Sequence, residues 1–578
     1  MSNANQTTVI QYVLARLKEE GVGDIFGVPG DYVYPVLDGI LADPDIEWRG
    51  NCNELNAGYA ADGYSRIRGL GVFACTYGSE LGAHLALAGS YGESTTTLML
   101  TGFPSTQQQA SGQVFHHMLG NHDYDLFNKM AEPLSAAHAI ITAENCVTEF
   151  ERVLAAMKYH KRPGVLAFQF DDVHKPLAST EIPADIPLRN PVSDPEALAE
   201  AVDHIVDELS SAKTVGAVAG IAVQRKKLRV ETEALLNATG IPYATPFQDK
   251  TALYETHDGF MGTWCGKFGN LPVEEYLLSC DKVLAFGYEL HYFNAGFFTT
   301  GLDFANRMID IRDHSVRIGE TVYDHVEMKD VLQALTTRLP KWDGLNAPSK
   351  LTPFTEAGGS GDDPISTGFP FYKRLEQFLK PDDILVIDPS SPVLAGSFVN
   401  MPEGVDYISQ ALAASIGFGT PAALGAAVAA PERRVVMLGG EGAHQLTAQE
   451  IGQFYKFGVK PVFIIINNDG YLVERYTCKD PESSFNDLPK WQYHKLPEVF
   501  GCEDWYCARV ETTGDMDAAL DKVNSGEQAA YLELICDRYD MPPMSEAMFN
   551  LTRPKFGQTI TWDEWKSEFD KGHNIATL

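Results

Sequence analysis

Polar side chains follow two apolar runs in one stretch of this chain. The first run, residues 435–438, leads into Gly439-Gly440-Glu441-Gly442, and the second, residues 462–466, leads into Asn467-Asn468-Asp469-Gly470. A helix-like pattern at 446–451 separates them, so the stretch predicts strand, tight loop, helix and strand in one parallel βαβ unit. Open α/β sheets bind ligands at these strand ends. A carboxylate, an amide oxygen and a backbone carbonyl there suit Mg²⁺ that holds a diphosphate.

A glycine-flanked glutamate alone indicates an ordinary crossover loop more often than a metal site, because lone glycine loops are weak signals. The paired asparagines Asn467 and Asn468 at the second strand end favour the metal site. Together the two strand ends resemble the metal–diphosphate motif of thiamine diphosphate (ThDP) enzymes, which runs from Gly-Asp-Gly to Asn-Asn.

Further motifs narrow the resemblance to the pyruvate decarboxylase and indolepyruvate decarboxylase family, over roughly residues 8–548. They are Val28-Pro29-Gly30-Asp31, Asn53-Glu54-Leu55-Asn56-Ala57, Gly89-Ser90-Tyr91, His116-His117-Met118-Leu119-Gly120-Asn121 and Phe293-Asn294-Ala295-Gly296. The adjacent histidines are the most discriminating, because other ThDP families lack them. The resemblance implies non-oxidative decarboxylation of a 2-oxo acid, either pyruvate or a larger branched or aromatic one. The products would be an aldehyde and carbon dioxide, formed through a ThDP ylid and enamine.

The resemblance implies five catalytic side chains. Glu54 would hydrogen-bond the pyrimidine ring of ThDP and act there as an acid–base group. Four others would orient the substrate carboxylate and relay protons, namely Asp31, His116, His117 and Glu474. Taken singly, each has an ordinary alternative such as a helix cap, a surface histidine or a solvated helix charge. Five ionisable groups at five family positions favour the active site.

The resemblance also implies which residues hold the cofactors, ThDP and Mg²⁺. Glu441, Asn468 and Gly470 would supply the metal ligands. Ile416 would be the bulky wedge beneath ThDP that makes its two rings face each other. The other cofactor contacts would be Glu54, Thr76, Ser390, Ala414, Gly440, Gly442, Ala443 and Tyr471.

Four residues resemble walls of the substrate pocket: Phe293, Val393, Val473 and Thr477. Val393 stands where some relatives carry tryptophan, as does Ala413, which could lie behind the wall. Thr477 is smaller than the isoleucine of pyruvate-selective relatives. The sequence therefore predicts a pocket wide enough for branched or aromatic 2-oxo acids, and compensating repacking of neighbouring side chains is the alternative.

The chain departs from the family pattern at three places. Gly440-Glu441-Gly442 replaces Gly-Asp-Gly, residues 77–81 are one residue short, and Asp388-Pro389-Ser390 replaces Glu-Thr-Gly with a proline that has no backbone donor. These departures leave open a ThDP-fold binding or structural subunit with weakened catalysis. A ThDP-dependent carboligase is another alternative, and so is a metal hydrolase that uses a cluster of His116, His117 and His122.

Composition limits the partners. The chain has 578 residues and a formal net charge of −33, which argues against nucleic acid and anionic membranes as partners. Nine cysteines without metal-type spacing indicate reduced thiols. Residues 1–20 lack signal-peptide features, and the apolar run 215–223 is too short to span a bilayer. We therefore expect a cytoplasmic enzyme with a small-molecule substrate.

Strand and helix patterns alternate throughout, which predicts the α/β class with three doubly wound parallel-sheet domains. A proline-rich passage at 176–195 and a glycine-rich passage at 358–364 indicate linkers. In family terms the predicted parts are a pyrimidine-binding domain (1–182), a central domain (190–342), a linker (343–366) and a diphosphate-binding domain with a C-terminal tail (367–578). The resemblance implies a homodimer with shared active sites, and two such dimers in a homotetramer.

Overall fold

The computed structural model describes residues 6–542 and 544–570. It contains three β-sheets, which follow one another along the chain. The chain divides into two compact units. The first unit comprises the chain up to Pro191 together with residues 420–433 and 447–460; the second comprises residues 192–419, 434–446 and the chain from Pro461.

The first sheet has six parallel strands in the order β2-β1-β3-β4-β6-β5. The strands are β1 (Asp24–Gly27), β2 (Glu47–Gly50), β3 (Gly71–Cys75), β4 (Thr97–Phe103), β5 (Ala137–Ile141) and β6 (Gly164–Gln169). The helices are α1 (Val9–Glu19), α2 (Tyr34–Ala42), α3 (Glu54–Arg68), α4 (His84–Gly92), α5 (Thr106–Ser111), α6 (Leu126–Ala131) and α7 (Cys146–His160). Strands β3 and β4 are buried along their whole length, as expected for a sheet covered on both faces.

The central sheet is mixed, with the order β13-β12-β11-β10-β7-β8-β9. Its strands are β7 (Val215–Ala219), β8 (Tyr243–Pro246), β9 (Phe260–Trp264), β10 (Lys282–Phe286), β11 (Met308–Ile311), β12 (Ser315–Ile318) and β13 (Thr321–Asp324). Its helices are α8 (Pro195–Ser210), α9 (Ile221–Arg225), α10 (Arg229–Thr239), α11 (Leu271–Ser279), α12 (Phe304–Arg307) and α13 (Met328–Arg338). The predicted α/β class with mostly parallel sheets is confirmed, and the central sheet departs from parallel pairing only at one edge, where β12 and β13 form an antiparallel hairpin on β11. Gly319, at φ +59°, opens the two-residue turn of that hairpin.

The third sheet is parallel throughout, in the order β15-β14-β16-β17-β19-β18. Its strands are β14 (Ile384–Ile387), β15 (Asp406–Ile408), β16 (Val435–Gly440), β17 (Val462–Asn467), β18 (Tyr506–Val510) and β19 (Ala530–Ile535). Its helices are α14 (Pro370–Phe378), α15 (Val393–Gly396), α16 (Gly419–Ala429), α17 (Glu441–His444), α18 (Ile451–Lys456), α19 (Leu472–Thr477), α20 (Leu496–Val499), α21 (Thr513–Ser525), α22 (Ser545–Thr552) and α23 (Trp562–Asp570). Counted along the chain, its strand order repeats that of the first sheet, so the two sheets have one topology.

The glycine-rich segment 439–442 differs from the predicted tight loop. Gly439 and Gly440 are the last two residues of β16, and Glu441 begins the four-residue helix α17 directly. The predicted helix at 446–451 is instead a 3₁₀ turn, Ala448–Glu450, followed by α18. The carboxylate of Glu441 therefore stands at the junction of strand and helix.

The segment at 343–366, predicted as a linker, contains neither helix nor extended strand but has specific anchors. Phe354 is buried, and its ring stacks on Tyr372 with centroids 5.3 Å apart. The guanidinium of Arg374 donates to the carbonyl oxygens of Ala357, Gly358 and Gly359. Within residues 6–542 and 544–570, none of the helices combines the length and apolar composition that crossing a bilayer requires.

Candidate active site

Asp31 stands just beyond the carboxyl end of β1, at the start of a short 3₁₀ turn. Thr76 beyond the neighbouring strand β3 fixes this turn, because its Oγ1 accepts a hydrogen bond from the N–H of Tyr32 at 3.1 Å. Gly30 is required at the contact, since a Cβ there would lie 2.4 Å from Thr76 Cγ2. Thr76, predicted as a cofactor contact, thus also positions Asp31.

Asp31, His116 and His117 form one cluster on the first unit. His116 Nε2 lies 2.6 Å from Asp31 Oδ2, and the His116 ring stacks on Tyr32 with centroids 5.2 Å apart. One ligand-type atom from each of the three residues lies within 4.8 Å of the others. His122 is directed elsewhere, with Nδ1 2.8 Å from the carbonyl oxygen of Gly112. The cluster is open to solvent, with His116 60% and Asp31 43% exposed, so a ligand or another protein surface can reach it.

Glu54 is the first residue of α3, where Asn53 caps the helix by accepting a hydrogen bond from the N–H of Asn56 at 2.8 Å. Gly82 faces Glu54: a Cβ at this position would lie 3.7 Å from Glu54 Oε2. The buried carboxylate of Glu450 holds the same helix start, because it accepts hydrogen bonds from the side-chain amides of Asn51 and Asn56 at 2.8 and 2.6 Å. Glu54 is therefore presented on a rigid support.

Glu80 is a buried acid on the same unit that the sequence reasoning did not single out. It is 2% exposed and accepts a hydrogen bond from the hydroxyl of Thr101. Burial raises the pKa of Glu80 to about 7. Burial raises the pKa of the Cys75 thiol, and the negative charges of Glu80 and Glu54 raise it further. In sequence Glu80 reads as one more charged loop residue, so only its burial distinguishes it.

On the second unit, Glu441 connects the carboxyl ends of β16 and β17. Its Oε1 accepts hydrogen bonds from the N–H groups of Gly470 at 2.8 Å and Asn468 at 3.2 Å. Glu441 is 2% exposed, and burial raises its pKa to about 7. The two backbone donors act in the opposite direction and favour the carboxylate. The predicted metal ligands therefore meet at one point.

The oxygen atoms at this point fit a small divalent cation. The amide oxygen of Asn468 lies 2.9 Å from the carbonyl oxygen of Gly470 and 3.3 Å from Glu441 Oε1. An amide oxygen that faces two other oxygens is unfavourable unless a cation lies among them; without a cation, the amide turns so that its nitrogen donates to both oxygens. Neighbouring ligands in an octahedron around Mg²⁺ are about 3 Å apart, from metal–oxygen distances of about 2.1 Å. The donor set thus fits Mg²⁺.

Glycines shape the backbone around these oxygens. Gly470 has φ +147°, and a Cβ there would lie 2.4 Å from the carbonyl oxygen of Asn486. A Cβ on Gly442 would lie 2.6 Å from the ring of Tyr471. The N–H of Gly440 donates to Ser390 Oγ at 3.2 Å, which joins β16 to the segment after β14. The result is a narrow turn in which backbone groups can approach a phosphate closely.

A cavity of about 210 Å³ adjoins the turn. Its lining includes most of the predicted cofactor and pocket residues of the second unit: Phe293, Ser390, Val393, Ala414, Ile416, Gly440, Glu441, Gly442, Ala443, Asn468, Gly470, Tyr471, Val473 and Glu474. The remaining lining residues, which the sequence reasoning had not assigned, are Pro389, Ser391, Leu394, Ala411, Leu472 and Met548. Thr477 and Ala413 lie outside the lining, and the Thr477 hydroxyl donates to the carbonyl of Val473 at 2.8 Å.

Asp388 explains how the altered segment after β14 serves the site. Its two carboxylate oxygens accept hydrogen bonds from the N–H groups of Gly417 at 3.0 Å and Gly419 at 2.7 Å. The first donor, Gly417, directly follows Ile416, so Asp388 anchors the backbone next to the predicted wedge. Burial raises the pKa of Asp388 to about 7, although both donors favour its ionised form. The departure Asp388-Pro389-Ser390 has therefore kept a structural acid at this position.

Arg475 is a second positioning residue that sequence reasoning missed. Its side chain is fully buried, and the guanidinium donates to the carbonyl oxygens of Pro481 at 2.9 Å and Asp469 at 3.1 Å. It also donates to the Asp487 carboxylate at 2.9 Å. These bonds tie the turn of residues 468–470, called the metal turn below, to the loop that follows α19. The sequence offers no sign of this role, because an arginine on a short helix usually indicates a solvated face.

Two parallel sheets of one topology, with an oxygen cluster at adjacent strand ends beside an apolar cavity, define the class as an α/β protein with a ligand site at the carboxyl ends of its strands. Models of the thiamine pyrophosphate enzyme N-terminal TPP-binding, central and C-terminal TPP-binding domains match residues 7–131, 202–339 and 390–534. The chain belongs to the thiamine pyrophosphate (ThDP) enzyme family.

Similar proteins cover almost the whole chain. An alpha-keto-acid decarboxylase of Mycobacterium ulcerans is 35% identical over 556 residues, which cover 95% of this chain and 97% of the relative. An alpha-keto-acid decarboxylase of Mycobacterium leprae is 35% identical over 558 residues, 95% of each chain. A Mycobacterium tuberculosis protein of the same name is 35% identical over 540 residues, 93% of this chain and 95% of the relative.

Proposed function

We propose that this protein is a ThDP-dependent 2-oxo acid decarboxylase that releases an aldehyde and carbon dioxide. The observation that carries the proposal is the placement of the Glu441, Asn468 and Gly470 oxygens beside a cavity with apolar walls. Loss of carbon dioxide disperses the charge of a carboxylate, so a site that excludes water favours that step. The similarity to proteins named alpha-keto-acid decarboxylase supports the same activity.

The residues that would hold the cofactor follow from their positions. Glu441, Asn468 and the carbonyl of Gly470 would bind Mg²⁺, and the backbone from Gly440 to Ala443 would face the diphosphate. Ile416, fixed by Asp388, would support the cofactor from one side. When bound, ThDP supplies the electron sink for the bond that breaks. This assignment takes the Gly440-Glu441-Gly442 departure as a working metal site.

The ionisable groups would orient substrate and move protons. Glu54, held at the start of α3, would exchange a proton with the cofactor through its carboxyl oxygens. Asp31 Oδ2 and His116 Nε2, 2.6 Å apart, can share a proton. Glu474 lines the cavity of the second unit and would act on the substrate carboxylate. His117, in the same cluster as His116, would also orient the substrate carboxylate and relay protons.

A homodimer with shared active sites follows from the same proposal. Asp31, Glu54, His116 and His117 would come from one subunit, and the Glu441 turn with Glu474 would come from its partner. The open exposure of the Asp31–His116 pair fits a surface that another subunit covers. We also propose the domain limits given above, a tetramer of two such dimers and a cytoplasmic location. The described part of the chain includes all nine cysteines and contains no disulfide, which is consistent with a reducing environment.

The test is a panel of 2-oxo acids assayed for aldehyde and carbon dioxide, with ThDP and Mg²⁺ added. Production of both products in equal amounts from at least one acid is expected. Formation of hydroxyketone with little free aldehyde would favour the carboligase, and no product with any acid would contradict the proposal. Metal analysis of the active protein should find magnesium rather than zinc, which separates it from a hydrolase built on histidines.

Substrate size is tested by kcat/KM for pyruvate, 2-oxoisocaproate and phenylpyruvate. We propose graded acceptance of the larger acids, because Val393 leaves room in the cavity wall and each methylene in an apolar pocket is worth only about 1–3 kcal/mol. Val393→Trp should selectively suppress the larger acids. A wild-type value for pyruvate far above both larger acids would show that neighbouring side chains have refilled the space.

A further inference from the structure

Phe293 is the one cavity-lining residue contributed by the segment that follows β10. Its ring stacks on Phe247, with centroids 5.9 Å apart and planes inclined by 21°. Phe247 comes directly after β8, so the end of one central strand supports the aromatic wall of the cavity. Because Phe293 is in a loop, its position depends on what holds that loop.

The adjacent residue, Asn294, is fully buried and makes three hydrogen bonds. Its Oδ1 accepts from the N–H of Gln248 at 3.0 Å. Its Nδ2 donates to Asp249 Oδ2 at 3.1 Å and to the carbonyl oxygen of Glu289 at 3.1 Å. The side-chain amide thus closes the loop on itself and fastens it to the segment after β8. The same short segment therefore contacts Phe293 through Phe247 and Asn294 through its next two residues.

Asp249 is a buried acid without a role in the chemistry proposed above. It is 1% exposed, and burial raises its pKa to about 8, with the Asn294 hydrogen bond acting in the opposite direction. Burying an acid costs free energy, and a hydrogen bond such as the one from the Asn294 amide offsets part of that cost. Breaking the buried bond between Asn294 and Asp249 would leave polar groups unsatisfied, so this bond holds both side chains in place.

We infer that Asp249 and Asn294 form a latch that fixes Phe293 as a wall of the substrate cavity and so sets the preferred length of the 2-oxo acid side chain. The latch consists of the Asp249 carboxyl, the Gln248 N–H and the Asn294 amide. The effect of the latch on substrate choice rests on the proposed function, whereas its geometry rests only on the hydrogen bonds of Asn294. Asp249 and Asn294 are positioning residues, since they act through Phe293 and line no part of the cavity themselves.

Leucine substitutions test the latch because leucine has nearly the shape of asparagine and aspartate but cannot hydrogen-bond. With Asn294→Leu, kcat/KM for 2-oxoisocaproate relative to pyruvate should rise about tenfold, the lower end of what one methylene is worth in an apolar pocket. The change should be mainly in KM. Asp249→Leu should act in the same direction, whereas Asp249→Asn keeps an acceptor oxygen and should stay within about twofold of wild type.

The decisive comparison uses a Phe293→Ala background. If the latch works only through Phe293, adding Asn294→Leu to Phe293→Ala should change selectivity no further. Equal effects of Asn294→Leu with and without Phe293 would overturn the inference. Thr239→Val is the matched control, because it removes a buried hydrogen bond to Leu235 from α10 of the same domain and should leave selectivity within twofold.

Hydrogen–deuterium exchange of the peptide 288–296, measured without substrate, separates this inference from the proposed function. Asn294→Leu and Asp249→Leu should speed its exchange at least tenfold, while Asp249→Asn and Thr239→Val should not. Unchanged exchange in both leucine variants would refute the latch even in an active enzyme. A wild type inactive on every 2-oxo acid would overturn the proposed function and the selectivity claim, while faster exchange in the leucine variants would still support the latch.

Discussion

Arg475 provides the sharpest test of how the metal turn is built. Its guanidinium is fully buried and holds the carbonyl oxygens of Asp469 and Pro481, on either side of α19. Arg475→Met keeps most of the apolar stem but removes every donor. The carbonyl of Asp469 then loses its partner directly beside Gly470, so the turn that carries two proposed metal ligands should loosen.

The size of the effect follows from these contacts. A hydrogen bond from a charged donor contributes about 1.5–3 kcal/mol, so the bonds to Pro481 and Asp469 together amount to about 3–6 kcal/mol, and the longer bond to the Asn486 carbonyl at 3.4 Å adds less. Methionine recovers part of this, because a buried guanidinium costs desolvation that an apolar side chain avoids. The bond to Asp487 adds little, since that carboxylate is 54% exposed. We expect a net loss of about 3 kcal/mol and a fall in Tm of roughly 6–12 °C for the transition of this domain.

Thermal unfolding with and without Mg²⁺ and ThDP measures both consequences. The variant should unfold earlier, and the added stabilisation by cofactor should shrink as affinity falls. Arg538→Met is the matched control: Arg538 also contacts Asp487, at 3.3 Å, but its side chain is 33% exposed. A shift below about 2 °C is expected there. If Arg475→Met unfolds like the control and keeps the full cofactor effect, the buried arginine does not support the metal turn.

Four other predictions address the remaining groups. Glu54→Gln should lower kcat by about two to four orders of magnitude while calorimetry shows ThDP binding unchanged; a near-normal rate would contradict its role. Glu441→Ala should weaken Mg²⁺ binding at least about 10–100-fold, whereas Glu441→Asp should retain it; tight binding by the alanine variant would exclude Glu441 as a ligand. Mixing inactive Glu54→Gln and Glu474→Gln subunits should restore some activity in heterodimers, and a fully active monomer would argue against shared sites. Burial raises the pKa of Asp388 from its ordinary 3.8 to about 7. The neutral carboxyl therefore contributes fully to the free energy of unfolding below about pH 4, and this contribution is lost as pH rises through 7. The change corresponds to roughly 4 kcal/mol, and urea titrations of cofactor-free Asp388→Asn should show a pH dependence smaller by about that amount.

The sequence predicted those parts of the site that are local in the chain. Glu441 and Asn468 follow adjacent parallel strands, and the apolar runs before them reveal both strands. That regularity brings their side chains together without any knowledge of tertiary contacts. Asp31 and His116, by contrast, are far apart in sequence, and only the family resemblance suggested that they meet.

Residues that support the site were missed because they resemble surface residues in sequence. Arg475 is charged and would be expected in solvent, and Asp388 was noted only as part of a segment that departs from the family pattern, yet both are buried and bonded to backbone groups. Backbone donors and acceptors have no signature in the sequence. The central hairpin is a different case: two alternating runs, 315–318 and 321–324, surround Gly319-Glu320, which is a usable turn signal. It was missed because the βα alternation elsewhere favoured parallel strands.

This chain has Glu441 where the family carries aspartate, and the contacts of the longer side chain show how the site accommodates it. Its Oε1 accepts from two backbone N–H groups after β17 and also faces the oxygens proposed to bind Mg²⁺. One oxygen can therefore hold the second strand end in place before a cation arrives. A cation would compete for that oxygen, but ionised Glu441 has about four lone-pair sites over its two oxygens, so Oε2 can bind the cation while Oε1 keeps the two backbone donors. One carboxylate can then serve both functions, which makes the family departure compatible with a working site.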